Sequence, residues 1–287
     1  MMESVRITEA APGYEIYEID HPLCTARVAR HGAHVMEWRP KSQREGVLYC
    51  SPEAVYKEGK AIRGGVPICW PWFNAHPVDP SKPSHGFVRT RFWKFEGAEE
   101  SQEGVRLRFS LEDDESTLAL WPHPFRLTAE ILLGGTLEVR LTSDNIGTVP
   151  FVIGGALHSY LRVGEVEQVV IEGLEQAPYL DTTGVRQEKS ATGEPVRISN
   201  EVDRIYHQDG GTTSIVDPVL DRVIHIDKSG SPSTVVWNPW IEKARAIADM
   251  PDEDYRRFVA VEAVIEPACV ITVEAGASHV LSTTIRV

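Results

Sequence analysis

VRLRFSL (105–111) and TLEVRLTS (136–143) decide the fold, because apolar and polar residues alternate in both segments with a period of two. This alternation is typical of antiparallel strands that bury one face and expose the other. The same pattern recurs in EQVVIEGL (167–174), RVIHID (222–227), STVVWN (233–238) and SHVLSTTIRV (278–287). Turns separate these segments without a βαβ rhythm, so the pattern predicts a large antiparallel β-sandwich.

Helical patterns are few. EKARAIADM (242–250) has apolar residues at near-helical spacing, and a short helical turn is predicted from Pro251 onward. The acidic stretches at 96–103 and 112–115 are interpreted as solvated loops. Because there is no linker and no fixed-period repeat, we predict one all-β domain over residues 1–287, with few short helices.

The composition of the chain excludes several classes of partner. It has 287 residues, 42% of them hydrophobic, and a formal net charge of −13. Nucleic acid and anionic membranes both require a basic face, so neither is expected as a partner. No apolar run approaches the ~20 residues of a membrane span, and the N-terminus lacks the pattern of a signal peptide. We therefore expect a cytoplasmic protein.

No cofactor is predicted from the sequence. Four cysteines without CxxC spacing favour reduced, buried thiols over a zinc or redox site. His31 and His34 are three residues apart, but no HxH or HExxH motif accompanies them, so no metal site is expected. The chain also lacks GxGxxG, GxxxxGK[ST] and GxSxG motifs. Because these motifs are absent, the sequence indicates acid/base chemistry without a cofactor.

Two ionisable residues interrupt apolar, strand-like runs: His158 in FVIGGALHSYLRV (151–163) and Glu262 in FVAVEAVIEP (258–267). A buried carboxylate requires a partner, a raised pKa, or a pocket that a ligand completes. The structural alternatives are a core histidine bonded to a carbonyl group and a glutamate in a salt bridge or on an edge strand. Facing one pocket, the two residues can act as general acid and base. Glu266 is expected to be exposed at the strand end.

The longest irregular segment, residues 59–90, is predicted to be functional because of its length and its aromatic residues Trp70, Trp72 and Phe73. Arg63 and the SHGFVR cluster (84–89) offer donors that suit phosphate or carboxylate, although solvated arginines are the alternative. Gly64 and Gly65 would allow the backbone to approach a ligand. The tryptophan pairs of the chain can pack on a sugar or belong to the core. These pairs are Trp70 with Trp72 and Trp237 with Trp240.

Six motifs in fixed order resemble the aldose 1-epimerase superfamily and, within it, the branch of glucose-6-phosphate 1-epimerases, also called hexose-6-phosphate mutarotases. They are GKAIRGGVPICWPWF, SHGFVR, ALHSYLRV, EVDRIYH, VVWNPW and FVAVEAV, spread over residues 59–264. The resemblance implies a galactose-mutarotase-like β-supersandwich. It also implies cofactor-independent interconversion of the α and β anomers of a hexose 6-phosphate. The expected partner is thus a small sugar phosphate, and we expect the protein to be a monomer.

The resemblance further implies a role for individual residues. His158 matches the catalytic histidine that acts as general acid toward the ring oxygen. Glu262 matches the general base that takes the proton from the anomeric hydroxyl. The matches to substrate-binding residues are His85 and Asp203 for the sugar, and Arg63 and Arg89 near the phosphate.

Three other functions stay open at this point. One is an aldose 1-epimerase that acts on unphosphorylated hexoses and uses the arginines structurally. Another is a catalytically silent carbohydrate-binding protein, which would have no need of both His158 and Glu262. The last is a sandwich-type glycoside hydrolase, which would require two catalytic carboxylates, whereas only Glu262 stands out on an apolar strand.

Overall fold

The computed structural model describes residues 4–207 and 211–287, and antiparallel strands dominate it. The strands are β1 (Val5–Glu9), β2 (Glu15–His21), β3 (Cys24–Ala29), β4 (His34–Pro40), β5 (Ile68–Cys69), β6 (Lys94–Ser101), β7 (Gly104–Glu112), β8 (Phe125–Gly134), β9 (Leu137–Asn145), β10 (Phe151–Ile153), β11 (Gly155–Leu157), β12 (Tyr160–Arg162), β13 (Val170–Glu172), β14 (Tyr179–Asp181), β15 (Gln187–Lys189), β16 (Val202–His207), β17 (Thr213–Asp217), β18 (Arg222–Ser229), β19 (Ser233–Asn238), β20 (Phe258–Ile265), β21 (Ile271–Val273) and β22 (Ser278–Arg286).

The helices of the described residues are short. The α-helices are α1 (Glu115–Leu120) and α2 (Trp240–Arg245), and 3₁₀ turns occupy Val88–Thr90, Val166–Gln168, Asp252–Arg257 and Pro267–Cys269. None of these helices is long and apolar enough to cross a membrane.

Two eight-stranded sheets form the body of the fold. In the first sheet the strands follow the order β15-β14-β16-β19-β20-β11-β5, with β12 also paired to β20, and in the second sheet the order is β13-β17-β18-β22-β9-β8-β7-β6. Strands β1 to β4 make a four-stranded N-terminal sheet, and β10 pairs with β21. All pairings between these strands are antiparallel. The prediction of a large antiparallel all-β sandwich with few short helices is confirmed.

The core lies between the two eight-stranded sheets. Val261 and Ala263 of β20 belong to the same buried cluster as Ile226 of β18 and Leu281 of β22. Full burial of such a side chain contributes roughly 1.5–3 kcal/mol. All eight residues of β20 are buried, because its second face is covered as well. That second face carries Glu262.

The N-terminal sheet packs on the second sheet. The ring of Tyr17 in β2 meets Phe109 of β7 edge-on, with ring centroids 5.3 Å apart. The indole Nε1 of Trp38 in β4 donates to the carbonyl oxygen of Gly134 at 3.1 Å. The contact therefore combines aromatic packing with a buried hydrogen bond that fixes the position of the sheet.

Several local predictions are wrong. Residues 94–101, which include most of the expected loop 96–103, form the edge strand β6, since pairing with β7 satisfies their backbone groups. Its charged side chains suit an edge strand. The second expected loop leads into α1, which begins with a capping box between Asp114 and Thr117. In 242–250 the helix ends at Arg245, and in 167–174 only Val170–Glu172 forms a strand. The turn after Pro251 is confirmed.

All four cysteines are free thiols. Cys24 and Cys69 are buried and Cys50 is half-buried, as the composition favours. Cys269 is exposed in the 3₁₀ turn that follows β20, so the expectation of burial is wrong for this residue.

Candidate active site

The side chains of the candidate site come together on the outer face of the first sheet through the register of its strands. Asp203 of β16 is opposite Trp237 of β19, which is opposite Ala260 of β20, which is opposite Tyr160 of β12. Directly opposite residues on antiparallel strands have Cβ atoms roughly 4.5–5.5 Å apart, so their side chains form a continuous surface. In the next row, Val235 of β19 is opposite Glu262.

His158 completes this second row from a break between β11 and β12. Leu157 pairs with Ala263 and Tyr160 with Ala260, so the register is the same on both sides of the break and residue 158 falls opposite 262. The backbone N–H of His158 donates instead to the carbonyl oxygen of Pro67 at 3.0 Å. The strand-like run 151–163 is therefore divided into three short strands, and His158 lies between two of them.

His158 and Glu262 form a buried acid/base pair. Their Nδ1 and Oε1 atoms are 3.3 Å apart, and the two residues are 8% and 2% exposed. The approach lacks hydrogen-bond geometry, and within the described residues neither His158 Nδ1 nor Glu262 Oε2 has a hydrogen-bond partner. Buried polar atoms without partners are unusual in folded proteins. These unpartnered atoms are available to bind a polar ligand.

Burial controls the protonation of the pair. It raises the pKa of Glu262 well above the ordinary 4.5, with a further rise from Asp203 and partial opposition from Arg89. It lowers the pKa of His158 well below 6.5, and His85, Arg89 and Arg63 act in the same direction. Both shifts favour uncharged forms in a site of low polarity. Burial therefore favours the neutral form of the pair, with the proton on the carboxyl group, over the charge-separated form.

The six residues selected from the sequence line one cavity. Its volume is about 310 Å³, and its walls include His158, Glu262, His85, Asp203, Arg63 and Arg89. Phe73, Asn74 and Tyr160 add further lining that the sequence did not assign to the site, and Trp237 lines the cavity as well. Ligand cavities in proteins commonly measure about 300–1,000 Å³, so the size suits a small molecule.

A larger concavity, of about 790 Å³, lies on the outer face of the N-terminal sheet and contains none of the six residues. Its charges already form cross-strand ion pairs, such as Arg6 with Glu18 and Arg27 with Glu37. Such pairs on a solvated sheet face are structural features. The smaller cavity is the candidate active site because the unpartnered buried acid and base lie there.

His85 is held in the cavity by a strained backbone. Its φ is 63° and that of Asn74 is 61°, a left-handed region that residues other than glycine seldom adopt. The N–H of His85 donates to the carbonyl oxygen of Asn74 at 2.8 Å, and the N–H of Asn74 donates to His85 Nδ1 at 3.3 Å. Burial, with Arg89 and Arg63, lowers the pKa of His85 to about 3. The ring is therefore neutral, with its proton on Nε2.

The two arginines have different partners. Arg63 Nε donates to Asp249 Oδ1 at 3.0 Å, and its Nη1 lies 3.4 Å from the hydroxyl of Tyr160. Arg89 Nη2 donates to the carbonyl oxygen of Ser84 at 3.0 Å, and its buried Nε has no hydrogen-bond partner. In the part of the chain that the structure describes, no acidic side chain pairs with Arg89. The cavity thus contains one paired and one uncompensated guanidinium.

Asp203 reaches the cavity from β16. Burial raises its pKa, although a hydrogen bond from Thr182 and the charge of Lys243 oppose the rise. Lys243 Nζ lies 3.9 Å from Asp203 Oδ2 and much closer, at 2.6 Å, to Glu201. The carboxylate of Asp203 therefore keeps acceptor capacity on the side that faces the cavity.

Of the four tryptophans considered for sugar stacking, only Trp237 lines the cavity. Trp70 packs edge-on against Trp121 in the core, Trp72 packs against Phe87, and Trp240 packs against Tyr255. In addition, the ring of Tyr160 stacks on His158 with centroids 4.7 Å apart and an interplanar angle of 7°. This stacking fixes the plane of the imidazole.

Three further expectations need correction or completion. Gly64 and Gly65 approach neighbouring backbone, because Cβ atoms there would lie 2.4 Å from the Tyr49 oxygen and 2.1 Å from the Val35 oxygen. Glu266, expected to be exposed, is 1% exposed, and its Oε1 lies 2.9 Å from His207 Nδ1. The described residues contain no cluster of three or more His, Cys, Asp or Glu side chains that could hold a metal ion.

The geometry can be set beside known proteins. Residues 15–286 match the family model described as aldose 1-epimerase, so the chain belongs to the aldose 1-epimerase family. It is 35% identical, over 254 residues, to a protein of Salmonella typhimurium strain LT2 named "Putative glucose-6-phosphate 1-epimerase". That similarity covers 88% of this chain and 84% of the relative. The family resemblance inferred from the six motifs is confirmed.

Solved structures agree with the fold. A crystal structure described as a "putative mutarotase" from Salmonella typhimurium matches with a TM-score of 0.93 and 32% identity, covering 100% of this chain and 94% of the other. A galactose mutarotase related enzyme from Lactobacillus acidophilus matches with a TM-score of 0.73 and 14% identity, covering 94% and 96%. The second similarity concerns the fold alone. The predicted galactose-mutarotase-like β-supersandwich is confirmed.

Proposed function

We propose that this protein interconverts the α and β anomers of a hexose 6-phosphate, with glucose 6-phosphate as the reference substrate. The observation that carries the proposal is the buried His158–Glu262 pair, 3.3 Å apart, in a cavity that two arginines also line. The name of the relative from Salmonella typhimurium supports the same substrate class. Residues from 61 to 262 contribute to this one cavity, which favours a single catalytic domain.

The pair has the groups that the reaction needs. Ring opening removes the proton of the C1 hydroxyl and protonates the ring oxygen, so one base and one acid suffice. In the charge-separated form, Glu262 accepts the hydroxyl proton while His158 donates to the ring oxygen. After rotation about the C1–C2 bond, the aldehyde is closed from its other face with the roles exchanged. Each well-placed group contributes roughly 10²-fold to 10⁴-fold to the rate.

The neutral form of the pair, which burial favours, contains the same number of protons. It supports ring opening with Glu262 as acid and His158 as base. The two forms differ by one proton transfer between atoms 3.3 Å apart. Because epimerisation consists of opening followed by reclosure, each residue donates once and accepts once in a full turnover. The raised pKa of Glu262 and the lowered pKa of His158 bring the two groups into this exchange.

Phosphate recognition is assigned to Arg63 and Arg89. A chain with a net charge of −13 repels a dianion at long range, so binding depends on short contacts within the cavity. Guanidinium groups bind phosphate oxygens through paired, charge-assisted hydrogen bonds. Arg89 lacks an acidic partner within the described residues and contributes the uncompensated charge. His85, Asp203 and the indole of Trp237 remain to bind the hydroxyls and the face of the sugar ring.

Anomer exchange measured by NMR on glucose 6-phosphate and on glucose tests the proposal. We expect faster exchange of the phosphorylated sugar, and loss of exchange with retained binding in Glu262→Gln. Equal kcat/KM for both sugars would favour an aldose 1-epimerase of free hexoses. Binding without exchange would identify a silent carbohydrate-binding protein, and unchanged exchange in Glu262→Gln would refute the acid/base pair.

A further inference from the structure

Asp249 forms an ion pair with Arg63, which lines the cavity. Its Oδ1 accepts from Arg63 Nε at 3.0 Å, and the two side chains are 23% and 30% exposed. Asp249 itself is not part of the cavity lining. It lies in the segment between α2 and the 3₁₀ turn Asp252–Arg257, next to Met250, which is 2% exposed. The buried neighbour fixes the segment, so the carboxylate has a defined position.

The point of contact on Arg63 matters for anion binding. A carboxylate that binds Nε leaves the opposite edge of the guanidinium, with Nη1 and Nη2, for another acceptor pair. Nη1 also lies 3.4 Å from the hydroxyl of Tyr160, whose ring stacks on His158. Asp249 and Tyr160 thus restrain Arg63 from two sides, while the edge that carries Nη1 and Nη2 remains available to a ligand. That edge fits two oxygens of a phosphate group.

A carboxylate beside Arg63 has two opposite effects on a phosphate dianion. Its charge offsets that of the guanidinium, which weakens the attraction. Its hydrogen bond holds a long, flexible side chain in one orientation, which removes an ordering penalty from ligand binding. Arg89 has no acidic partner in the described chain and supplies charge without such support. Arg89 therefore supplies net positive charge for phosphate binding, whereas Arg63 supplies a guanidinium group in a fixed orientation.

We propose that Asp249 is a positioning residue that sets the preference for phosphorylated sugars by orienting Arg63 through Nε. The inference rests on the proposed function. It predicts that the hydrogen bond, rather than the negative charge of Asp249, is what phosphate recognition requires. Asparagine keeps an acceptor oxygen at this position without the charge, whereas alanine removes both.

Steady-state anomer exchange of the Asp249 variants separates these effects. We expect Asp249→Ala to raise KM for glucose 6-phosphate about fivefold, equivalent to about 1 kcal/mol. The value of kcat and the kcat/KM for glucose should not change. Asp249→Asn should keep KM within about twofold of the parent, which is inside the scatter of single substitutions. If Asp249→Ala does not fold, Asp249→Ser has the same expected effect, because its hydroxyl is too short to reach Nε.

A double-mutant cycle with Arg63→Ala checks that Asp249 acts through Arg63. In that background, Asp249→Ala should have no further effect on KM. Glu165 provides a matched control, because it forms a similar half-buried pair with Arg256 at 2.8 Å, with exposures of 20% and 40%, outside the cavity lining. Glu165→Ala should lower the thermal midpoint about as much as Asp249→Ala and leave KM unchanged.

The inference is overturned if Asp249→Ala leaves KM for glucose 6-phosphate unchanged or raises KM equally for both sugars. It is also overturned if Asp249→Asn is as impaired as Asp249→Ala, or if Asp249→Ala and Arg63→Ala are additive. In all these cases the parent protein still turns over glucose 6-phosphate, and the proposed function stands. Absence of turnover in the parent protein would defeat both proposals together.

Discussion

His158 lies directly opposite Glu262 across two antiparallel segments, and the strand register brings their side chains to within 3.3 Å. Glu262 is held within β20, and His158 lies in the two-residue break between β11 and β12, whose pairing with β20 keeps it in register. Because β20 is buried on both faces, Glu262 has little freedom to move away from the imidazole. The proposed acid and base are thus preorganised by the pairing of β20 with β11 and β12 and by the hydrogen bond from the His158 N–H to the Pro67 carbonyl oxygen.

Glu262→Gln is expected to reduce turnover by about 10²-fold to 10⁴-fold and to stabilise the fold near neutral pH. The pKa of Glu262 is raised in the folded protein, so above its ordinary value of 4.5 the unfolded chain loses a proton that the folded chain retains. The contribution of this group to stability is thus fully present below pH 4.5 and is lost as pH rises toward the folded pKa. Glutamine does not titrate and removes this loss.

Urea unfolding of both proteins between pH 5 and pH 8 measures the effect. The stability advantage of Glu262→Gln should grow with pH across this range. A variant that is less stable than its parent at pH 8 would show that the carboxyl group has a favourable charged partner in the fold.

His158→Asn is expected to lower turnover by about 10²-fold to 10⁴-fold while changing the free energy of unfolding by less than about 1 kcal/mol. The imidazole lines the cavity and its Nδ1 makes no hydrogen bond to described residues, so little native bonding is lost. Anomer exchange and thermal unfolding on the same sample check both parts. A large drop in the thermal midpoint would instead identify His158 as a core histidine.

Arg89→Ala should weaken phosphate recognition more than Arg63→Ala, because Asp249 already offsets the charge of Arg63. Charge-assisted hydrogen bonds contribute about 1.5–3 kcal/mol, so we expect KM for glucose 6-phosphate to rise about a hundredfold for Arg89→Ala and about tenfold for Arg63→Ala. KM for glucose is the internal control and should change little. Equal changes for both sugars would remove the assignment of these arginines to the phosphate.

His34 should make the fold sensitive to acid. Its Nε2 donates to the carbonyl oxygen of Gly64 at 2.8 Å, and burial lowers its pKa to about 3. A depressed histidine pKa means that the unfolded chain gains a proton below pH 6.5 that the folded chain resists. Stability is then complete above pH 6.5 and falls as pH drops toward 3.

Between pH 7 and pH 5 the linkage of His34 amounts to about 2 kcal/mol of unfolding free energy. His34→Gln lacks the titrating group, so its stability should fall by about 2 kcal/mol less than that of the parent over this interval. Chemical unfolding at the two pH values provides the comparison. Parallel losses in the two proteins would mean that His34 does not contribute to the pH dependence.

The predictable parts of the fold are those in which local pattern and tertiary position agree. TLEVRLTS alternates, and β9 buries the expected face. The strand β6 lacks such a pattern, because an edge strand with a solvated outer face can carry several acidic residues, here Glu96, Glu99 and Glu100. The run 151–163 is mostly apolar, and its division into β10, β11 and β12 depends on partners far away in the sequence.

For the candidate site, individual residues could be predicted from the local sequence pattern, but their proximity could not. His158 and Glu262 were visible because ionisable residues are rare in apolar strands. Their proximity came from strand register, which no local pattern encodes, and only the family resemblance brought them together beforehand. Asn74 and Asp249 gave no signal, since polar residues in irregular segments are ordinary. Glu266 was misjudged because it is buried beside His207, a residue distant in the sequence.

The His158–Glu262 pair and the residues around it belong to different kinds of backbone structure. This difference affects how substrate specificity can change among such proteins. Glu262 of the proposed acid/base pair lies in β20 and His158 lies between two strands that pair with β20, whereas Arg63, His85 and Arg89 come from the segment 59–90 and Asp249 from a short connection. Segments without regular pairing tolerate insertion and exchange. Replacing these irregular segments with those of a relative of other specificity is therefore expected to change the preferred substrate and to leave the His158–Glu262 pair in place.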